Sequence, residues 1–177
     1  RAADSTPASR ENRSKQVGLP DHPPRIDRAD FERIAPAAAA ALHALGKAVD
    51  ESGLEKPLTE LVKVRASQIN GCAFCIQFHQ NMARLLRVAP AKLELVASWR
   101  EASVFSPRER AALAWTEALT RIDGNGASDE VYAQLQAQFA QSEIAFLTAA
   151  VGAINAWNRI AGALHFGRRP ARRDRQR

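Results

Sequence analysis

The sequence predicts an all-α protein of about seven helices. Alanine and leucine dominate the composition, and aromatic residues make up only 6% of it, which favours helices. No segment shows the alternating pattern or the tight turn signals of paired strands. Prolines and serines recur where helices would begin. Because 46% of the 177 residues are hydrophobic, we expect one helical domain with a sizeable core.

The order of the helices follows from these start signals. Several prolines stand where a first helical turn would begin, and no backbone N–H is needed there. Serines precede the last three helices as caps, and the first is followed three residues later by a glutamate, as in a capping box. The predicted segments are a short turn near Asp30, then 36–51, 57–69, 72–87, 90–100, 107–122, 129–139 and 143–166, with a loop at 123–126 and with Ser106, Ser128 and Ser142 as the last three caps.

The chain divides into an arm, a helical domain and a basic tail. Residues 1–27 are polar and contain four prolines, so we expect a flexible arm. Residues 28–167 hold the predicted helices. Residues 168–177 carry six arginines and one aspartate, whereas residues 29–167 contain 13 basic and 14 acidic side chains. The net charge of +6 therefore belongs to the ends, and nucleic-acid binding is not expected of the domain.

One stretch in the middle of the chain collects the reactive side chains. Both cysteines, Cys72 and Cys75, lie there, and His79 follows four residues after the second. In a helix these three positions share one face. Glu60 lies on the preceding helix, and a tight turn between the two helices would fold it back toward the thiols as a base or as a partner for the histidine.

Two cysteines three residues apart indicate a redox or metal pair rather than a secreted disulfide framework. The residues leave the identity of the nucleophile open. His79 could take the proton of Cys75, whereas a helix N-terminus would favour the thiolate of Cys72. Zinc held by these three side chains and Glu60 is an alternative, in which the protein would be a non-catalytic helical zinc-binding or interaction module.

The segment from Glu60 to His79 resembles the signature of a known family. Its letters ELVKVRASQINGCAFCIQFH hold the glutamate, the cysteine pair and the histidine in the spacing of the carboxymuconolactone decarboxylase family, within its alkylhydroperoxidase D-like branch. The later stretches SPRERAALAWTEALT and INAWNR are similar to the same branch. The resemblance covers roughly residues 28–167 and implies a helical bundle of the AhpD-like kind.

What the resemblance implies is a thiol-dependent peroxidase. In that reading Cys75 attacks the peroxide, Cys72 resolves the product as a disulfide, and His79 and Glu60 form a proton relay. A dithiol donor, a lipoyl-carrying protein in the characterised branch, would reduce the disulfide, and neither a cofactor nor a metal is implied. Phe74 departs from the pattern, because the branch has a histidine at that position. Family members that decarboxylate lactones generally lack the cysteine pair, which argues against that reaction here.

The surroundings of the protein follow from the same observations. The resemblance implies a homo-oligomer, a trimer or a hexamer, and the apolar last helix suits burial in the bundle or between subunits. The most apolar stretch, 144–157, is short for a membrane span. The N-terminal residues lack the apolar segment of a secretory signal, so we expect a cytoplasmic location.

Asn155 and Arg159 lie one turn apart on the last helix and could close a polar network.

Overall fold

The computed structural model describes residues 24–122 and 126–167, and these form a bundle of helices. They contain eight α-helices and one short 3-10 helix, with no strand among the residues described, so the predicted all-α class is confirmed. The predicted tail, most of the predicted arm and residues 123–125 of the predicted loop lie outside this part. The helices are α1 (Arg28–Ile34), α2 (Pro36–Asp50), α3 (Lys56–Ile69), α4 (Ala73–Leu85), α5 (Pro90–Leu95), α6 (Pro107–Thr120), α7 (Asp129–Gln136) and α8 (Gln141–Leu164), with the 3-10 helix Val96–Ser98 after α5.

The predicted capping box at the start of α6 is present. The hydroxyl of Ser106 accepts the backbone N–H of Glu109 at 3.2 Å, and the carboxylate of Glu109 accepts the backbone N–H of Ser106 at 2.9 Å. Two N–H groups that have no partner within the helix are thereby satisfied. Ser128 caps α7 through a single bond, in which its hydroxyl accepts the N–H of Val131.

The cap predicted for the last helix is wrong. Ser142 lies inside α8, which begins one residue earlier, and the carboxylate of Glu143 accepts the backbone N–H of Ala140 at 2.8 Å. The guanidinium of Arg108 also binds Glu143, at 2.6 Å. A carboxylate is the stronger acceptor at a helix N-terminus, and this ion pair holds it there, which moves the start of the helix ahead of the serine.

Most helices end within two residues of the predicted positions, but α5 and α7 end earlier than that. Helix α5 ends at Leu95 rather than near residue 100, and the chain then passes through the 3-10 helix into a loop. The guanidinium of Arg110 donates to four backbone carbonyls between residues 99 and 105. These carbonyls thus have hydrogen-bond partners although the loop is not helical. Helix α7 ends at Gln136, because the chain turns there and buries Phe139 in the core.

Helix α3 lies at the centre of the bundle, packed against α4, α6 and α8. Nine of its 14 residues are buried. One apolar cluster, containing Val62 and Leu147, joins it to α6, α7 and α8, and a second, containing Val64 and Leu113, joins it to α5 and α6. A third cluster contains both cysteines and Ile154, and it joins α3 and α4 to α8. The reactive residues therefore lie on two helices, α3 and α4, that pack closely against each other and against the core.

Helix α8 is long and apolar enough, by length and composition, to cross a membrane, as the one such helix in the described ranges. Half of its most apolar window is buried inside the fold. It also carries two buried asparagines, Asn155 and Asn158, whose amides are hydrogen-bonded to other helices. These contacts are those of a core helix.

Candidate active site

A tight turn between α3 and α4 brings the reactive residues together. Gly71 has a φ of +66°, in the left-handed region that L side chains rarely adopt. The N–H of Cys72 then donates to the carbonyl of Ser67 at 3.0 Å, so the chain reverses directly after α3. The predicted break near Asn70–Gly71 is confirmed, and α4 runs back alongside α3.

The two cysteines lie at the first turn of α4. Cys72 is the residue before the helix, and its sulfur accepts the backbone N–H of Cys75 at 3.3 Å. Both residues are buried, and both are free thiols. The prediction that Cys72 lies within the helix is therefore wrong: it is the N-cap, because its sulfur satisfies an N–H that the helix leaves without a partner.

The surroundings separate the acidities of the two thiols. A hydrogen bond from the Cys75 thiol, together with backbone N–H groups of Cys75 and Phe74 and the amide of Asn158, outweighs burial and lowers the pKa of Cys72 to about 7. The same bond between the thiols, with burial and the negative charge of Cys72, raises the pKa of Cys75. The first negative charge on the pair therefore rests on Cys72, at the positive end of α4.

Glu60 and His79 face each other across the two helices. Oε2 of Glu60 lies 2.8 Å from Nδ1 of His79, and Oε1 accepts a hydrogen bond from Nζ of Lys63, also at 2.8 Å. Burial raises the pKa of Glu60, but the hydrogen bond and charge of His79 and the charge of Lys63 bring it below its ordinary value. The carboxylate thus remains ionised and orients the imidazole. The other ring nitrogen, Nε2, is left to exchange a proton with a further group.

A cavity of about 410 Å³ adjoins these residues. Cys75, Glu60 and His79 line one part of it, whereas Cys72 does not reach it. Helices α1, α2, α3, α4 and α8 all contribute to its wall. The remaining lining residues are mostly apolar or aromatic with a few charged groups: Arg28, Leu42, His43, Gly46, Lys47, Asp50, Lys63, Phe74, Phe78, Met82, Ala153, Ile154, Trp157, Ala161 and Phe166.

Phe74, the residue that departs from the family pattern, belongs to the aromatic wall of this cavity. Its ring meets the ring of Phe166 edge-on, with centroids 5.5 Å apart, and stacks on Phe78 at 6.4 Å. Such pairs stabilise an apolar surface beyond the area they bury. Where the resemblance places a titratable ring, this protein has an apolar contact.

Sequence reasoning missed two residues of the site. His43 lines the cavity and packs against Trp157, with ring centroids 5.2 Å apart. Asn158 is buried and stands beside both cysteines. Asn155, one turn earlier, was a signal for it: the predicted network exists, and Arg159 donates to the Asn155 carbonyl and side-chain oxygens at 3.0 Å.

The zinc alternative finds no support in this geometry. Across residues 24–122 and 126–167, no group of three or more His, Cys, Asp or Glu side chains converges so as to hold a metal ion. Glu60 and His79 are bonded to each other, and Cys72 is turned toward the N-terminus of α4. The four predicted ligands thus form two separate pairs.

The fold and the site together define an all-α protein with a buried cysteine pair beside a glutamate–histidine pair, and comparisons with known proteins find the same fold. The chain is 32% identical over 137 residues to YdfG of Bacillus subtilis (strain 168), spanning 77% of this chain and 93% of YdfG. Its fold matches a protein of unknown function from Agrobacterium tumefaciens, a candidate antioxidant defence protein AhpD, with a TM-score of 0.79 and 39% identity, over 84% of this chain and 100% of that one. A peroxidase-related protein from Silicibacter sp. TM1040 matches with a TM-score of 0.66 and 25% identity, over 73% and 69% of the two chains.

The profile of the carboxymuconolactone decarboxylase family matches residues 36–118, which run from α2 through most of α6. This chain belongs to the carboxymuconolactone decarboxylase family. Its fold is that of the AhpD-like members, as the resemblance implied.

Proposed function

We propose that this protein is a thiol-dependent peroxidase that reduces organic hydroperoxides through a cycle between a Cys72–Cys75 dithiol and a disulfide. The observation that carries the proposal is the position of Cys75. It opens onto a cavity that also contains the Glu60–His79 pair, while Cys72 stands behind it and contacts its sulfur. A thiol, a second thiol and a proton carrier thus meet at one binding site.

The size of the cavity favours an organic hydroperoxide over hydrogen peroxide. A volume of about 410 Å³ would hold on the order of ten water molecules at about 30 Å³ each, far more than two oxygen atoms need. The aromatic wall formed by Phe74, Phe78 and Phe166 would bury an apolar body. We therefore assign the apolar part of the substrate to this wall and its peroxide group to the thiol.

Each step of the cycle balances with the groups present. The proton of Cys75 passes to the Cys72 thiolate, and the resulting Cys75 thiolate attacks the terminal peroxide oxygen. The O–O bond breaks, an alcohol leaves after taking one proton, and Cys75 becomes a sulfenic acid. Cys72 then attacks this sulfur, which forms the disulfide and releases water. One thiol, one thiolate, one proton from His79 and one hydroperoxide thus give one disulfide, one alcohol and one water.

His79 carries the proton to the leaving alkoxide in this proposal. Its Nδ1 is bound to Glu60, so Nε2 is the ring nitrogen that transfers the proton. Glu60 fixes the tautomer and stabilises the imidazolium when it forms. With Phe74 in place of the relay histidine, this pair is the proton carrier of the site.

A thiol titration tests the proposal. One equivalent of cumene hydroperoxide should remove both titratable thiols of each chain, and a dithiol should restore them. Lipoyl-type and thioredoxin-type donors are compared for the rate of recovery. If both thiols stay free after a stoichiometric dose, the protein is not a peroxidase of this kind.

Two cysteine variants assign the roles. Cys75→Ser should lower turnover roughly a thousandfold or more, because the attacking sulfur is gone. Cys72→Ser should still form one sulfenic acid per chain, which a dimedone probe detects, but it cannot close the disulfide. If Cys72→Ser is instead the variant that fails to react with peroxide, the two roles are reversed.

The reductant, the assembly and the location belong to the same proposal. A dithiol donor, such as a lipoyl-carrying protein, returns the disulfide to the thiols, and a reducing compartment, the cytoplasm, supplies it. Exposed apolar side chains, Leu85 at 76% and Ile122 at 73%, support burial between copies in a trimer or hexamer. Light scattering measures the assembly, and a monomer at micromolar concentration would contradict it.

A further inference from the structure

We propose that Arg28 binds the anionic end of the substrate, so that the preferred substrate is an apolar hydroperoxide that also carries a carboxylate. Arg28 is the first residue of α1 and lines the cavity that Cys75 and His79 share. This inference deepens the proposed function and rests on it for the peroxide group. The binding of a carboxylate has a readout of its own that needs no turnover.

Aromatic contacts hold α1 against the wall of the cavity. The ring of Phe31 meets that of Trp157 edge-on, with centroids 6.2 Å apart, and its centroid lies 6.1 Å from that of Phe166. Trp157 and Phe166 both line the cavity. Arg28, one turn before Phe31, is thereby placed at the edge of the cavity, where its side chain is 32% exposed.

Ring contacts join the guanidinium of Arg28 to the reactive residues. Its Cζ atom lies over the ring of Phe78, 5.6 Å from the centroid. The ring of Phe78 in turn meets the imidazole of His79 edge-on, with centroids 5.1 Å apart. The cation and the proton carrier therefore contact the same aromatic ring, and one substrate of modest length can reach both.

Arg28 has hydrogen-bond donors to spare. Its Nε donates to the carboxylate of Glu32 at 2.8 Å. Nη1 and Nη2 have no hydrogen-bond partner within residues 24–122 and 126–167. These two nitrogens carry four N–H groups in a planar fork, whose geometry matches a carboxylate.

Arg108 shows how a guanidinium of this protein holds a second carboxylate. Its Cζ lies 3.9 Å from the ring centroid of Phe139, and it binds Glu55 through Nε at 2.9 Å and Nη2 at 3.0 Å. Nη2 also donates to Glu143 at 2.6 Å. Arg28 has the ring and the first carboxylate of the same arrangement, and we assign the second carboxylate to the substrate.

The charges that line the cavity favour an anion over a cation. Three cationic side chains, Arg28, Lys47 and Lys63, stand against two carboxylates, Asp50 and Glu60. Lys63 is already bonded to Glu60, and Lys47 is 71% exposed, where solvent screens its charge. Arg28 is thus the cation whose planar fork can hold a carboxylate in one orientation.

The first test is calorimetric binding of two molecules without a peroxide group to the fully reduced protein, 4-isopropylbenzoate and the neutral 4-isopropylbenzamide. The wild type should bind the benzoate about tenfold more tightly, as expected of hydrogen bonds between charged groups. Arg28→Gln should remove this preference, whereas Arg28→Lys, which keeps the charge without the fork, should retain part of it. Since α1 buries none of its residues, both variants should fold.

Arg33→Gln is the matched control. Arg33 lies on the same helix, is 72% exposed and pairs with Asp30, but it does not line the cavity. The variant removes the same charge and should bind both molecules as the wild type does. The proposal is overturned if the wild type binds the benzoate and the benzamide equally. It is also overturned if Arg28→Gln and Arg33→Gln lose the same affinity for the benzoate.

Turnover separates the anion site from the peroxidase cycle. The substrates are cumene hydroperoxide and the same molecule with a carboxylate in the para position. Arg28→Gln should lower the ratio of kcat/KM for the carboxylate to that for cumene hydroperoxide about tenfold, chiefly through KM, because ground and transition states share the lost bond. A wild type that is inert to both peroxides but prefers the benzoate would remove the cycle and keep the anion site. A wild type that reduces both with equal kcat/KM would keep the cycle and remove the anion site.

Discussion

Two buried glutamates of this protein, Glu60 and Glu117, both have a pKa below the ordinary value, but they are held by different partners. Both are almost fully covered, at 7% and 4% exposure. In both, burial raises the pKa and bonded partners bring it below the ordinary value. The partners differ in kind, and we expect that difference to separate a carboxylate that can take part in proton transfer from a structural one.

Glu117 is saturated by donors that do not change their charge near neutral pH. It accepts from Nε of Arg65 at 2.6 Å, from the indole of Trp99 at 2.9 Å and from Arg100 at 2.6 Å. Glu60 instead accepts from Lys63 and lies 2.8 Å from Nδ1 of His79, an imidazole that also borders the cavity. A buried carboxylate with permanent partners locks helices together, whereas one with a titratable partner beside a cavity can take part in proton transfer.

The largest effect that this contrast predicts is on stability. Glu117→Gln should lower the free energy of unfolding by about 3 kcal/mol, because the charge of Arg65 is left buried without its partner. Turnover per folded molecule should change little. Urea unfolding and peroxide assays on the same sample measure both quantities, and a loss of turnover without a loss of stability would invalidate the contrast.

Glu60→Gln should affect turnover much more than stability. Turnover should fall about a hundredfold, because His79 loses the group that orients it and stabilises its charged form. The free energy of unfolding should fall by only about 1 kcal/mol. The rate is measured with saturating dithiol donor, so that reduction of the disulfide does not limit it. Equal stability losses in the two glutamine variants would show that both glutamates are structural.

The dependence of stability on pH sharpens the comparison. The pKa of each glutamate is lower in the folded protein than in the unfolded chain, so each stabilises the fold above the unfolded value of about 4.3. That contribution is lost as the pH falls through the lower, folded value. Acidification from about pH 6 to about pH 3 should therefore destabilise the wild type more than either glutamine variant. The urea midpoints of the wild type and both variants at the two pH values measure this loss. An equal change of midpoint in all three proteins would contradict the prediction.

The smallest effect concerns Phe74. Phe74→His should lower the free energy of unfolding by about 1 kcal/mol, since the edge contact with Phe166 is weakened. It should also lower the preference for cumene hydroperoxide over hydrogen peroxide, because the apolar wall becomes polar. The ratio of the two kcat/KM values is the readout, and Phe78→Leu is the control for loss of ring stacking alone. An unchanged ratio would remove Phe74 from substrate selection.

Local signals predicted much of this molecule. The capping box at Ser106, the helix start at Pro57 and the break before Cys72 all depend on neighbouring residues, and the structure contains all three. The pairing of Glu60 with His79 needed only a short turn. These features could be predicted because the interacting groups are close in the chain.

Features that depend on distant contacts could not be predicted. Asn158 lies 88 residues from Asn70 and 91 from Ser67, and no periodicity specifies that approach. The early end of α5 depends on Arg110, which binds carbonyls of a loop that precedes it. The predicted start of α8 is wrong for the same reason, because Arg108 holds the carboxylate of Glu143, which caps the helix in place of the serine. In each case a tertiary contact outweighed a local preference.

The tight turn at Gly71 also bears on how the protein acquires its reactive site during folding. Glu60 and His79 are only 19 residues apart, so closing this loop costs little chain entropy, and local contacts of this kind form early. The contacts of Asn158 close loops more than four times as long. We therefore expect the cysteine pair and the Glu60–His79 pair to assemble as a hairpin before α8 docks. In the interval the thiols would be present but uncovered, which makes the docking of the last helix the step that protects them from unintended oxidation.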